Sequence, residues 1–446
     1  METLHAVAIK PARSMARLAC VGLAGTSVEW YDFFLYGTAS ALVFPTEFFP
    51  KDLPPIVALL ASFTTFAVGF IARPVGAVLF GHFGDRAGRK TALVVALTLM
   101  GIATTLIGLL PPYRMIGALA PVLLAVLRFA QGLAIGGQWG GAVLLIVESA
   151  PPDKRGFYSS FAQAGVQVGV LLANGAFLLA GLGESGEAFL TWVWRIPFVA
   201  SLAFVGLALF VKAKIEETAA FCAQRPPEST RRRSPVLEAL RMYPRNILLA
   251  AGAFVGTNIV FYIMITFVIA YGSSAGGLNL PRTMLLSAVL ISALFSIPAH
   301  ILFGALSDYY GRRRIFMTGA ALEAIWIFLL FPLIETRSFP YITIALVIGQ
   351  LLNAMMYGPQ AALFAELFAT RVRYSGASLG YQVGAVLGGA LAPIIATTLL
   401  AEYHSSVGIS AYVATACIIS FVSVALLKET SRVELHHEAP VSLGRP

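Results

Sequence analysis

The chain has 446 residues, 58% of them hydrophobic and only 12% charged, with a mean hydropathy of +0.80. These figures exclude an ordinary soluble globular protein, in which about 25% of residues are charged. The net charge of +9 falls in clusters between apolar runs. That distribution argues against a nucleic-acid surface and points to membrane topology. Cys20, Cys222 and Cys417 lie far apart, with no C-x-x-C pair and no metal-ligand spacing, so neither a disulfide nor a metal site is read.

No short apolar segment with a small-residue cleavage site opens the chain, so the first long run is read as a retained helix. Runs long enough to span a bilayer, about 20 residues each, fall near 19–44, 56–80, 91–110, 117–147, 158–182 and 191–211. A second set lies near 246–271, 283–304, 315–334, 340–365, 375–400 and 408–427. The chain is therefore read as an all-α polytopic membrane protein, with twelve transmembrane helices in two six-helix bundles. Its predicted parts are an N-terminal tail (1–18), a first bundle (19–211), a linker (212–245), a second bundle (246–427) and a C-terminal tail (428–446). Basic residues concentrate on the side of Lys10, Arg13, Arg86, Lys90, Lys154, Arg314 and the Arg231-Arg232-Arg233 run of the linker. Only Lys51, Arg114, Arg282 and Arg337 lie opposite, so both termini are expected in the cytoplasm. The triple arginine is read as a contact with anionic lipid headgroups. Trp192 and Trp194 are expected in an aromatic belt at the other face.

Helix 1 carries two acids, Glu29 and Asp32, three residues apart, with Tyr36 one turn further. An acid at the bilayer centre costs about 2.5–3.5 kcal/mol on insertion scales, so each must find a partner, a proton or a water-filled cavity. Both are candidate proton-coupling groups. Arg128, about eleven residues into helix 4, lies roughly 16 Å deep, close to the level of Asp32. A pairing of the two is expected, with Arg128 available to a substrate carboxylate. Arg73, before Pro74 in helix 2, is a candidate partner for Glu29. Polar stripes at three- and four-residue intervals extend the site: Gln163 and Gln167 on helix 5, Asn258 and Tyr262 on helix 7, and Gln350, Asn353, Tyr357 and Gln360 on helix 10. With Tyr36 and Gln131 they complete the candidate substrate-binding set. His300 is read as structural. The glycines of helix 4, among them Gly132, Gly136 and Gly140, are read as packing surfaces.

The two halves repeat. Gly81, Asp85, Gly88 and Arg89 recur as Gly304, Asp308, Gly311 and Arg312, each 223 residues on. Glu148 and Arg155 recur as Glu366 and Arg373, each 218 residues on. Duplicated bundles place a binding site near the midplane between them. In the repeated element, the first glycine allows close helix approach and the second a tight turn. Asp85 can meet the positive end of another helix while Arg86, Arg89 and Lys90 face the cytoplasm. The element reads as a latch, and Gly81, Asp85, Arg86, Arg89, Glu148, Arg155, Asp308, Arg312, Glu366 and Arg373 are the residues of the two repeats. The stretch from Gly84 to Thr91 lacks the phosphate-loop spacing and no H-E-x-x-H occurs, so no enzyme and no ATP-driven pump is read.

The Gly81–Lys90 stretch and its second copy resemble the signature loop of the major facilitator superfamily. Glu29-Trp30-Tyr31-Asp32-Phe33, Arg128-Phe129-Ala130-Gln131-Gly132, Gly136-Gly137-Gln138-Trp139-Gly140-Gly141, Trp194-Arg195-Ile196-Pro197-Phe198 and Ile215-Glu216-Glu217-Thr218 resemble one branch of it. That branch is the bacterial metabolite:proton symporters, which include shikimate, α-ketoglutarate and proline/betaine transporters. Gln138 and Val193 depart from it, standing where Glu and Gly are common. The resemblance implies the major facilitator fold and alternating access, with the repeated loop as a cytoplasmic latch, and so makes the repeat residues from Gly81 to Arg373 named above candidates for gating. It also implies import of a small organic acid with a proton as coupling ion, in the bacterial inner membrane, by a monomer without a cofactor. An osmoprotectant (betaine or proline) transporter is the alternative within the fold, and a non-transporting sensor the alternative outside it.

Overall fold

The computed structural model describes residues 13–431 except 88, 137–138, 183–185, 204–205, 207–234, 275–276 and 371. For 13–14, 81–93, 139–142, 186 and 235 it describes the backbone alone. The first half comprises α1 (Arg13–Leu42), α2 (Pro55–Ala87), α3 (Arg89–Leu109), α4 (Leu119–Gly136), α5 (Arg155–Ala180) and α6 (Phe189–Ala200), with Trp139–Ser149 extending beyond α4. The second comprises α7 (Pro244–Ser273), α8 (Arg282–Tyr310), α9 (Arg312–Glu335), α10 (Phe339–Glu366), α11 (Arg373–Tyr403) and α12 (Val407–Ala425). Among the described residues, nine helices are long and apolar enough to cross a membrane; α1, α3 and α6 complete the two bundles. A short helix, Pro235–Met242, leads into α7. The rest of the predicted linker, with Arg231, Arg232 and Arg233, lies outside the described residues.

Two expectations are corrected. The repeated signature stretch is mostly helix rather than loop: α2 runs to Ala87 and α8 to Tyr310, several residues past their apolar runs. The turn between α8 and α9 is Gly311 alone, at φ 95°, a backbone conformation that only glycine adopts without strain. Trp194 is not in an aromatic belt. It is fully buried against Phe44, Phe48 and Phe198, with ring centroids 5.6–5.9 Å away, whereas Trp192 is exposed. Positions two apart on a helix point to nearly opposite sides, so one tryptophan faces the bundle and the other faces out.

The bundles meet mainly where α5 packs along α8 and α10, and where α2 packs along α11. At the end that carries the basic residues, called here the basic face, Gly156 of α5 sits against Gly304 of α8. A Cβ on Gly304 would stand 2.5 Å from the Ser160 Cβ and 2.7 Å from the Gly156 carbonyl oxygen. Inside the first bundle, α4 lies against α2 through Gly132 and Gly136, whose Cβ atoms would collide with the carbonyls of Gly69 and Arg73.

Candidate functional site

Away from the basic face, four acidic and basic side chains are buried in the described part of the first bundle: Glu29 and Asp32 on α1, Arg73 on α2 and Arg128 on α4. Asp32 accepts a hydrogen bond from Ser201 at the end of α6 (2.6 Å), and its other oxygen has no partner. Arg128 donates from Nη1 to Gln131 Oε1 (3.0 Å) and from Nε to the Phe66 carbonyl (3.4 Å). Its guanidinium lies over Phe33 and Tyr36, 4.1 and 4.2 Å from the ring centroids. Asp32 and Arg128 are therefore not paired, contrary to the expectation from depth. Arg128 rests on the Phe33/Tyr36 side of α1, and successive helical residues are about 100° apart, which turns Asp32 toward α6. Gln131 spans from Arg128 to Thr104 (2.7 Å), and the Tyr36 hydroxyl donates to Thr65 (2.7 Å). Both are engaged inside the bundle.

Glu29 points the other way, toward the second bundle. Its Oε1 has no hydrogen-bond partner, and its electrostatic neighbour is Arg73, although the two make no ion pair within 4.0 Å. The Arg73 guanidinium lies over the rings of Phe33, Phe70 and Trp30, at 4.4, 4.4 and 5.2 Å. Its Nε and Nη2 have no acceptor.

Between the bundles, Trp30 and Val166 face Phe254, Asn258, Phe261, Asn353, Tyr357 and Tyr381 across a narrow gap with room for roughly one water. Asn258 and Asn353 line it while donating to the carbonyls of Ala385 (3.4 Å) and Thr257 (2.9 Å). Gln163 donates to the Tyr357 carbonyl (3.2 Å) and Gln167 to Gln350 Oε1 (3.0 Å), two α5–α10 bonds that bridge the bundles beside the cavity. Gln360, on the same stripe of α10, is buried with neither amide atom partnered. Tyr262 packs its ring on Phe70 (5.3 Å). His300 is held through Nδ1 by the Ser296 carbonyl (2.7 Å), one turn back on α8.

The stripes on α5, α7 and α10 missed two walls of this cavity. Tyr381 of α11 stacks on Phe254 at 4.2 Å. It follows Tyr374 and Ser378 at four- and three-residue intervals, a stripe on α11 that the sequence reading did not take up. Trp30 was visible only as part of the helix 1 motif.

At the basic face, Asp308 of α8 accepts the backbone N–H groups of Gly156 (2.9 Å) and Phe157 (2.8 Å), the first turn of α5 in the other bundle. A carboxylate here satisfies donors the helix cannot satisfy itself and meets its positive end. Arg312 joins Asp308 (2.6 Å) and Glu366 (3.3 Å). Arg155 lies 3.9 Å from Glu366, and Arg373 binds Glu148 at 2.8 Å. The second repeated pair thus exchanges partners across the interface: Glu of each half faces Arg of the other. The side chains of Gly81, Asp85, Arg86 and Arg89, and Gln138 altogether, lie outside the described residues. After α12, the Glu429 carboxylate accepts the N–H groups of Arg312 (2.9 Å) and Arg313 (3.2 Å) at the start of α9, and Thr430 donates to Glu366 (2.7 Å). Partial burial raises the Glu429 pKa, but these and neighbouring backbone donors outweigh it and hold the group below the usual carboxylate value.

Two helical bundles around a small, partly polar cavity, cross-linked by ion pairs at one face, have the architecture of a secondary membrane transporter. The family described as "Sugar (and other) transporter" matches residues 18–241, and that described as "Major Facilitator Superfamily" matches residues 276–443. The chain is 41% identical to the shikimate transporter of Escherichia coli, over 94% of this chain and 96% of that one. It is 38% identical to the inner membrane metabolite transport protein YhjE of the same organism, over 97% and 98%. It is 29% identical to the E. coli proline/betaine transporter, over 99% and 89%. The crystal structure of a D-xylose-proton symporter superposes with a TM-score of 0.75 at 18% identity, covering 94% of this chain and 99% of that one, a likeness of fold alone. The chain belongs to the major facilitator superfamily.

Proposed function

We propose that this protein is a proton-coupled symporter that imports a small organic acid across the bacterial inner membrane, as a monomer with no cofactor and no enzymatic step. The observation that carries the reading is the buried set of two acids and two arginines in the first bundle, with Glu29 and Arg73 turned toward the interface. Two positive groups held away from water favour a carboxylate substrate, and two acids beside them favour a proton as the coupling ion. The 41% identity to a shikimate transporter supports a hydroxylated or otherwise small carboxylic acid.

The basic face is cytoplasmic, by the concentration of Lys and Arg there. The Asp308, Arg312, Glu366 and Arg155 cluster, with Glu148 and Arg373, latches that side shut; Asp85 and Arg89 are the matching positions of the sequence repeat in the first half. Protonation of an α1 acid from outside leaves an arginine charge uncompensated, the substrate carboxylate compensates it, and the loaded protein then unlatches. The exchange of Arg128 between Asp32 and substrate, expected from sequence, is replaced by coupling through whichever acid shares an arginine with the substrate. Linkage makes the coupling reciprocal: substrate strengthens proton binding by the factor by which the proton strengthens substrate binding.

Radiolabelled uptake into proteoliposomes, inside-alkaline, over shikimate, succinate, lactate, glycine betaine and proline tests the class. Accumulation of an acid is expected. Accumulation of betaine or proline alone would replace the reading with an osmoprotectant transporter, and binding without accumulation would replace it with a sensor.

A further inference from the structure

We propose that Arg73 is the residue that takes the substrate carboxylate, and that Glu29 is the proton site coupled to it. The inference rests on the reading that the cargo is a carboxylate.

Arg73 is 1% exposed, yet two of its donors are unused. Nε and Nη2 lie on one edge of the guanidinium, the edge that meets both oxygens of a carboxylate in a bidentate pair. The plane itself is fixed by the rings of Trp30, Phe33 and Phe70. Aromatic faces attract the cation, the more strongly when water is excluded, but offer its N–H groups no acceptor in the plane. The cage therefore holds the charge while leaving the binding edge open. Trp30 belongs both to this cage and to the cavity wall, so the arginine stands directly behind the central space. Arg128 differs: Nη1 and Nε are committed to Gln131 and Phe66, and only Nη2 is unpaired. Phe33 lies under both guanidinium groups, so Arg128 buttresses the ring that positions Arg73.

Glu29 is the acid placed to compete for this arginine. The charged and titratable groups around it are Arg73 on α2, Tyr262 on α7, Tyr357 on α10, Tyr381 on α11, and Asp32 on its own helix, with Arg128 behind Arg73. Arg73 is the only nearby cation Glu29 faces within this set, apart from the committed Arg128. Asp32 is tied to Ser201 on the far side of α1. When Glu29 is ionised, its charge balances Arg73 and a second carboxylate is repelled. When Glu29 takes a proton from the outer side, the positive charge is free, and the substrate carboxylate accepts hydrogen bonds from Nε and Nη2. After the basic face opens, Glu29 returns its proton to the cytoplasm and regains Arg73, which expels the substrate. One proton accompanies one carboxylate, and no other reactant is needed. The hydroxyl of Tyr262, which lies against Arg73, is available to the remainder of the substrate.

The test is equilibrium binding of radiolabelled shikimate, succinate and lactate to the purified full-length protein between pH 5.5 and 8. It uses the wild type, Arg73→Gln, Arg73→Lys, Glu29→Gln and Asp32→Asn, with thermal unfolding as the check on folding. Wild-type affinity is expected to fall as pH rises, by up to about tenfold per unit where Glu29 titrates. Arg73→Gln should weaken binding at least about thirtyfold and erase the preference for the acid over its methyl ester. Arg73→Lys should restore part of it, because lysine supplies the charge without the bidentate edge. Glu29→Gln should bind at every pH as tightly as the wild type does when acidic. Acid binding that is unchanged in both Arg73 variants, or a pH dependence that survives in Glu29→Gln and vanishes in Asp32→Asn, would overturn the assignment and leave the organic-acid reading standing. A wild type that binds betaine and none of the acids would overturn both.

Discussion

Removing the Asp308 carboxylate should open the basic face, and the size of the effect follows from which contacts cross the bundle interface. The Asp308–Arg312 ion pair joins two residues of the second bundle, so it persists whichever way the bundles rock and contributes nothing to the gate. The bonds to Gly156 and Phe157 do cross, at 2.9 and 2.8 Å, and both have a charged acceptor. Such bonds contribute about 1.5–3 kcal/mol each when lost into a buried setting. Here the freed N–H groups regain water on opening, which reduces the pair to about 2–3 kcal/mol in total. Asp308→Ala should therefore shift the closed-to-open ratio about 30- to 150-fold toward open. The assay is alkylation of a cysteine at Ser160, which is buried against Gly304 in the closed face, in a chain with Cys20, Cys222 and Cys417 replaced by serine. A membrane-impermeant maleimide supplied from the basic face should react at least tenfold faster in Asp308→Ala. An unchanged rate would refute the part given to Asp308 in the latch, because the bonds to Gly156 and Phe157 are the hydrogen bonds it makes across the interface in the described structure.

Gly304→Leu should prevent closure by overpacking, about 1–3 kcal/mol, because even a Cβ there stands 2.5 Å from Ser160; normal expression with uptake abolished is the expected result, and wild-type uptake would show that the bundles need not approach so closely. Glu429 has a folded-state pKa below its unfolded value, so its contribution to stability is present above the unfolded value near 4.5 and is lost as pH falls through the lower folded value. Glu429→Gln should accordingly lower the Tm at pH 7 and converge with the wild type once pH has fallen through the lower folded value, as read by thermal unfolding in detergent. Arg128→Ala should destabilise the first bundle by about 1–3 kcal/mol, since it strips Gln131 and the Phe66 carbonyl of a charged donor; an unaltered unfolding temperature would contradict the structural part of its role.

What could be read from the sequence were the features that depend on one element at a time. Apolar run length places the helices, Lys and Arg counts distinguish the two faces, and the 223-residue repeat picks out Asp308, Gly304 and Gly311. Their settings at the α5 terminus, the glycine contact and the turn follow from residue chemistry alone. Features that depend on how one helix is rotated against another were not legible. Glu29 and Asp32 look like one acidic stripe, yet three residues on a helix are 60° apart. That is enough to send Glu29 toward Arg73 and the second bundle, and Asp32 to Ser201. Depth put Asp32 and Arg128 at one level, but depth carries no azimuth. Arg73 looked like a simple partner for Glu29, because the three aromatic rings that cage it come from two helices. Tyr381 does leave a periodic trace, with Tyr374 and Ser378 at four- and three-residue spacing, but its glycine-rich surroundings read first as a packing surface.

Proton movement on substrate addition tests the central claim most directly. Lightly buffered proteoliposomes without an imposed gradient should alkalinise the outer medium when shikimate or another small organic acid is added. The response should be abolished by a protonophore and absent from protein-free vesicles. Radiolabelled uptake of the same acid with no pH change outside would contradict proton coupling, and alkalinisation by betaine or proline but by no acid would contradict the substrate class.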